Sequence, residues 1–213
     1  MNRIAEVQRK TLETDIFVKI NIDGSGTVKF DYPIGFMRHM LNTFAHNAMF
    51  DLEIKATGDL DVDQHHLMED TGITLGSCLA KALGDKHGIV RAAHFLYPMD
   101  ETLARAVIDL CGRSYLVLEA ALSGAPIVTA LETGKYSTFQ SDTIYDFWQG
   151  FCGSTFCTLH LDILRGRSDH HKIEALFKAA GRALRTACSI DAGLNGAVPS
   201  TKGVLDPPQV FLV

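Results

Sequence analysis

Ile16, Val18, Ile20 and Ile22 alternate with polar residues and run into Gly24, the two-residue period of a half-buried strand. The rhythm returns 88 residues on, at Ala104, Ala106, Ile108 and Leu110, which run into Gly112. The period then changes. Phe36, Met40, Phe44 and Ala48 fall on one helical face, and so do Ile144, Phe147, Trp148 and Phe151. A strand pattern follows each: Phe50, Leu52 and Ile54 in the first case, Leu159, Leu161 and Ile163 in the second. A longer helix comes next, with Ile73, Leu79, Ala80 and Leu83 as one stripe and Ile173, Leu176, Phe177, Ala180 and Leu184 as the other. Each half therefore reads strand, strand, helix, strand, helix, with helices on one side of its sheet. The chain is a duplication, expected to divide into residues 1–95, 96–190 and a Gly- and Pro-rich tail, 191–213, that reads as extended. No low-complexity linker separates the halves, so they are expected to pack as one unit.

The strongest repeat is chemical. His65-His66-Leu67-Met68-Glu69 recurs 105 residues later as His170-His171-Lys172-Ile173-Glu174. On a helix turning about 100° per residue, His65 and Glu69 lie roughly 40° apart and converge on one ion, whereas His66 points about 100° away. The same geometry groups His170 with Glu174 and sets His171 apart. Adjacent histidines thus serve different ions, and the repeat predicts two metals. Imidazole and carboxylate without thiolate suit Mn²⁺, Fe²⁺ or Zn²⁺. His39, 26 residues before His65, and Asp146, 24 before His170, are candidate further ligands on the preceding helices. Lone histidines are more often structural, and His46, His87, His94 and His160 are read that way.

Composition narrows the class. A net charge of -5 argues against a dedicated nucleic-acid binder. No apolar run is long enough for a membrane span, and the charged N-terminus lacks a signal-peptide core. Five scattered cysteines, none in a Cys-x-x-Cys pair, suit reduced thiols in the cytoplasm. Arg91, Arg113, Lys178 and the Pro199-Ser200-Thr201-Lys202-Gly203 run offer donors for a phosphate. These residues by themselves describe a dinuclear metal enzyme acting on a phosphorylated metabolite.

The order of several segments goes further. HML at 39–41, ATGDLDVDQHHLMEDTGITLG, PMDETLA, DLCGRSYL, GRSDHHKIEALFKA and PSTKGVL together resemble the imidazoleglycerol-phosphate dehydratase family, in its monofunctional form, over about residues 3–205. The resemblance implies a duplicated ribosomal-S5-domain-2-like α+β fold, two four-stranded sheets with a helical layer between them. It implies two Mn²⁺ per active site, in a homo-oligomer of 24 subunits whose active sites lie between subunits. One metal would take His39, His66, His170 and Glu174; the other His65, Glu69, His171 and Asp146. Glu13, Arg91, Arg113, Lys178, Ser200, Thr201 and Lys202 would contact substrate, with Glu13, Glu69 and Glu174 catalytic. The implied reaction dehydrates D-erythro-imidazole-glycerol 3-phosphate to imidazole acetol phosphate in histidine biosynthesis, through a metal-stabilised imidazolate.

The chain departs from the family pattern at a few places. Asp146 stands where some members carry His, Asn47 replaces a common His, Arg38 precedes HML where Asp is frequent, and Cys111 and Ser114 flank Arg113 in place of Ser and Pro. Two other readings compete: a dinuclear metallohydrolase of another phosphorylated metabolite, and a divergent paralogue that binds metal without catalysis. The first does not explain the joint presence of PMDE, DLCGR and PSTKG. The intact Arg91, Arg113 and Lys202 stand against the second.

Overall fold

The computed structural model describes residues 3–130 and 136–205. The first half runs β1 (Ile4–Lys10), β2 (Thr14–Asn21), β3 (Val28–Asp31), α1 (Gly35–Ala48), β4 (Asp51–Gly58) and α2 (His65–Leu83). The second runs β5 (Ala92–Met99), β6 (Thr102–Asp109), β7 (Tyr115–Glu119), β8 (Ile127–Ala130), β9 (Tyr136–Phe139), α3 (Thr143–Thr155), β10 (Thr158–Arg165) and α4 (Asp169–Cys188). Two four-stranded sheets result, in the orders β1-β2-β4-β3 and β5-β6-β10-β7. Each sheet is antiparallel except for one parallel pair at its edge, β3 with β4 and β7 with β10. The expected division after residue 95 falls inside β5, which pairs along its whole length with β6 of the second sheet.

The alternating residues read from the sequence are the core: Ile16, Val18, Ile20, Ala104, Ala106 and Ile108 are each at most 1 % exposed. They face a layer of four helices. Helix α2 lies on β1 and β2 and α4 on β5 and β6, while α2 packs on α3 and α1 on α4. The core is therefore shared between the halves, with Trp148 in tilted or edge-on ring contact with Phe147, Phe177 and, from the first half, Phe44. Small residues allow the helices to approach closely. A Cβ on Gly72 of α2 would stand 2.0 Å from the Phe147 carbonyl oxygen, and one on Gly181 of α4 would stand 2.6 Å from that of Phe44.

Three features differ from the sequence reading. Periodicity counts three strands per half where each main sheet has four, because the edge strands are short or little buried, and it does not register the additional β8–β9 hairpin of the second half. Ile73 and Ala80 sit at the margin of the α2 core, whose centre is Leu67, Met68, Thr71, Leu75, Cys78 and Leu79; packing between a sheet and α3 buries more than one stripe. The tail is not extended throughout. A 3₁₀ turn over Ala192–Leu194 and a bridge between Ile89 and Ile190 pin it to the loop between α2 and β5. Residues 206–213 of the expected tail lie outside the described residues. No helix among the described residues is long and apolar enough to cross a membrane.

Candidate metal centre

The N-terminal turns of α2 and α4 carry the twin repeats, and a side-chain acceptor just before each helix holds its entry. Ser168 caps α4, its hydroxyl accepting from the His171 N–H at 3.4 Å. The N-cap of α2, Gln64, makes no such bond; there Asp63, one residue earlier, accepts from the His65 N–H at 2.8 Å. Within each repeat the two imidazoles stand 6.0 Å apart with their planes near perpendicular, 81° and 84°, so neighbouring histidines do face different surroundings.

In the second repeat, His170 Nε2 lies 3.1 Å and His39 Nε2 3.3 Å from Glu174 Oε2. Among the described residues these three form a group whose ligand atoms all lie within 4.8 Å of one another. His39 comes from α1 and the other two from α4, the pair of helices joined at Gly181. Lys178, one turn beyond Glu174, holds the other carboxylate oxygen at 2.7 Å, its ammonium lying over the Tyr97 ring. Glu174 is 7 % exposed. Burial pushes its carboxyl up, but the bonded Lys178 and nearby His39 outweigh that and hold it below the ordinary value. A cavity of about 430 Å³ opens beside it, lined by Asn42, His46, Asn47 and Tyr97 as well as Glu174 and Lys178. His46, read as structural from the sequence, and Asn47 thus border the cluster.

In the first repeat, His65 Nδ1 lies 3.3 Å from Asp146 Oδ2, joining α2 to α3. Glu69 is exposed and stands outside this contact. The two arrangements are counterparts under the duplication, α1 with α4 in one and α3 with α2 in the other.

His66 and His171 turn away from both clusters. His66 Nδ1 bonds Asp59 Oδ2 at 3.0 Å, with Glu13 Oε2 at 3.9 Å, and the Asp59 hydrogen bond raises its pKa. His171 Nδ1 bonds Glu101 Oε2 at 2.8 Å. Backbone N–H donation from Ser168, followed by His171, holds the Glu101 carboxyl far below the carboxylate range. Glu101 belongs to PMDETLA but carried no sequence signal of its own beyond sitting 88 residues after Glu13.

The remaining candidates gather elsewhere. Arg91 forms a bidentate pair with Asp109 at 2.7 and 2.9 Å and donates to the Pro199 carbonyl oxygen at 2.7 Å, which brings the 199–203 turn beside it. The Ser200 hydroxyl accepts from the Lys202 N–H at 3.2 Å; Thr201 and Lys202 are exposed. Arg113 is exposed on the loop between β6 and β7, close in sequence to Asp109. The Arg91 N–H bonds the Ala187 carbonyl oxygen, at the opposite end of α4 from His170. That helix separates the two regions by roughly 25 Å at 1.5 Å per residue. Lys178 alone of the phosphate candidates stands at a ligand cluster.

The structure adds a support that periodicity could not show. The β8–β9 hairpin is an insertion of the second half. Gln140, beyond it, exchanges hydrogen bonds with Gln64 just before α2, at 2.8 and 3.0 Å. Phe139 is buried against Phe36, whose ring meets His170 edge-on at 5.1 Å between centroids. One insertion therefore braces the starts of both ligand-bearing helices.

Residues 33–184 match the family model for imidazoleglycerol-phosphate dehydratase. The chain belongs to the imidazoleglycerol-phosphate dehydratase family. It is 48 % identical to that enzyme of Hahella chejuensis over 95 % of this chain and 98 % of the relative, and 48 % identical to that of Paraburkholderia phytofirmans over 95 % and 100 %. Solved structures agree. Imidazoleglycerol-phosphate dehydratase of Staphylococcus aureus superposes with a TM-score of 0.74 at 35 % identity, covering 88 % of this chain and 99 % of that one. The Pyrococcus furiosus enzyme, in complex with (S)-C348, gives 0.75 at 33 %, covering 93 % and 100 %. The chain is accordingly an enzyme of the dehydratase class.

Proposed function

We propose that the protein dehydrates D-erythro-imidazole-glycerol 3-phosphate to imidazole acetol phosphate and water in histidine biosynthesis, using two Mn²⁺ ions per active site. The observation that carries this reading is the convergence of His39, His170 and Glu174 donor atoms within 4.8 Å of one another, beside a cavity and a lysine. Nitrogen and carboxylate oxygen donors without sulfur fit Mn²⁺, and the five cysteines are all buried. The fit supports one ion on His39, His170 and Glu174 and a second on His65, Asp146 and Glu69. His66 and His171 are then the fourth ligands, each to the other's ion as in the family pattern.

Within one chain His66 and His171 face away from the clusters, and Arg91, Arg113 and the 200–202 turn lie far along α4. A site that unites them needs a second copy, which supports active sites between subunits of a homo-oligomer, 24 by family analogy. The surroundings of Glu13 favour this. Its backbone carbonyl accepts from Asp59, tying the β1–β2 turn to the loop before α2, and this pair of loops exposes Leu12, Leu60 and Val62 around Glu13 and His66. Grouped apolar side chains at a polar rim suit an interface.

Two bound cations would supply positive charge to the substrate ring, favouring loss of a weakly acidic carbon-bound hydrogen and departure of the neighbouring hydroxyl as water. The chain supplies the rest. Glu13, half exposed beside His66, moves the proton at that carbon; Arg113, Lys178, Ser200, Thr201 and Lys202 hold the phosphate, and Arg91 braces the turn that carries three of them. The test is to supply the purified protein with Mn²⁺ and the substrate and follow imidazole acetol phosphate. Product that disappears with a chelator and returns with Mn²⁺ is expected. Bound metal in an intact assembly without product would reject the reading.

A further inference from the structure

Glu13 and Glu101 hold the same place in the duplication, each just before a buried threonine, Thr14 or Thr102, that opens the second strand of its half. Each stands below the second histidine of its repeat. Their contacts differ. Glu13 Oε2 is 3.9 Å from His66 Nδ1, and Glu13 is 53 % exposed; the His66 proton goes instead to Asp59 at 3.0 Å. Glu101 is divided between two tasks. Its Oε2 accepts from His171 Nδ1 at 2.8 Å, and its Oε1 accepts from the N–H groups of Ser168 at 3.0 Å and Arg167 at 3.3 Å and from the Thr102 hydroxyl at 3.3 Å. One oxygen fixes the loop that enters α4 and the other fixes the ring that α4 presents. Asp100, 3.9 Å from His171 Nε2 and largely exposed, is a surface neighbour.

We propose that Glu101 is a positioning residue: it keeps the proton of His171 on Nδ1, presents Nε2 as the donor atom, and thereby sets the affinity of one of the two metal positions. In the first half Asp59 has taken over that task for His66, which leaves its counterpart Glu13 free to meet substrate. The duplicated acid has split into a clamp and a reagent. A ligating imidazole is oriented by whatever accepts from its other nitrogen, and loss of such a partner typically costs about 10- to 100-fold in metal affinity. The inference rests on the metal-dependent reading above, and the experiment separates the two.

Metal-free wild type, Glu101→Ala, Glu101→Gln and Glu13→Ala are titrated with Mn²⁺ against a competing chelator. Each is also loaded with Co²⁺ for its visible spectrum and melted without metal. Wild type is expected to take up two ions per chain. Glu101→Ala should weaken one of them about 10- to 100-fold and alter the Co²⁺ spectrum. Glu101→Gln retains an acceptor for the Ser168 N–H; it should melt close to wild type yet bind that ion about tenfold more weakly. Glu13→Ala should bind both ions like wild type. If Glu101→Ala fails to fold, Glu101→Gln decides. Unchanged metal affinity and spectrum in the Glu101 variants, even with a lower melting temperature, would make Glu101 a loop clamp only and overturn the proposal. Wild type that takes up no Mn²⁺ fails before any variant is compared; the metal reading falls there, and the role of Glu101 with it.

Discussion

The second repeat, with His39 of α1, closes His170 and Glu174 around a point, while the first repeat leaves Glu69 apart from His65 and Asp146. The spacing within the two His-His-x-x-Glu repeats is identical, so the difference lies in what surrounds them. One turn beyond Glu174 stands Lys178, whose ammonium holds the carboxylate. One turn beyond Glu69 stands Ile73, at the margin of the core against α3. Glu174 is buried and paired; Glu69 is in water. Duplication preserved the donors at their positions but let the supporting residues diverge. One cluster is thereby organised by the chain alone, and the other is not.

The most damaging test of this contrast compares Glu174→Gln with Glu69→Gln. Both remove a proposed ligand, so turnover with saturating Mn²⁺ should fall on the order of 10²- to 10³-fold in each. Stability of the metal-free protein should separate them. Glu174→Gln leaves the half-buried Lys178 without a counter-charge and should cost about 2 kcal/mol in urea unfolding. Glu69→Gln changes a solvated side chain and should stay within about 0.5 kcal/mol. Equal destabilisation by both would erase the difference between the clusters.

A second contrast concerns the loops at the far ends of the sheets. Asp51 at the start of β4 accepts from the N–H groups of Ser25 and Thr27 at 2.8 and 3.0 Å. At the corresponding start of β10, Thr158 meets Cys111, and no carboxylate takes part in that contact. The Ser25 backbone bond, ahead of Thr27, Asn21 and the Ser25 hydroxyl, draws the Asp51 carboxyl below its usual value against a modest opposing effect of burial. A folded-state pKa below the unfolded one stabilises above about pH 4 and is lost as pH falls through the folded value. Asp51→Asn should therefore lower stability at neutral pH by about 1 kcal/mol and flatten the acid limb of the stability profile. Thr158→Val should leave the slope of that limb unchanged. Urea unfolding at a series of pH values below 5 measures both.

Central and edge strands differ, in both halves alike, in how much of them the sequence made legible. Strands β2, β4, β6 and β10 are central, so one face is buried and their alternation is clean. The edge strands β3 and β7 have four and five residues with no fully buried position, and periodicity had little to register. The facing of His65 against His66 followed from helix geometry, because 100° per residue is a local rule. That Glu101 bonds His171, that Gln140 bonds Gln64, and that Phe139 supports Phe36 under His170 depend on elements brought together by the sheet and the inserted hairpin. No local pattern encodes those meetings. The duplication offset did contain one clue: 88 residues from Glu13 leads to Glu101. The family resemblance supplied the substrate class, which no distance within one chain could provide.

The smallest test asks whether the missing lysine alone accounts for the open cluster. Ile73→Lys places an ammonium four residues after Glu69, the favourable order for a helical ion pair, worth about 0.3–0.5 kcal/mol. The substitution also removes apolar contact, since Ile73 lies against α3 where a Cβ on Gly150 would stand 3.0 Å from it. The single variant should therefore be less stable than wild type, and its melting temperature would say nothing about the pair. A cycle with Glu69→Gln removes the packing loss from both arms and leaves the coupling. A coupling of about 0.3–0.5 kcal/mol that shrinks in high salt is expected. A coupling near zero would mean that Glu69 stays in water even when offered a cation, and the openness of the first cluster would then belong to its wider surroundings and not to Ile73.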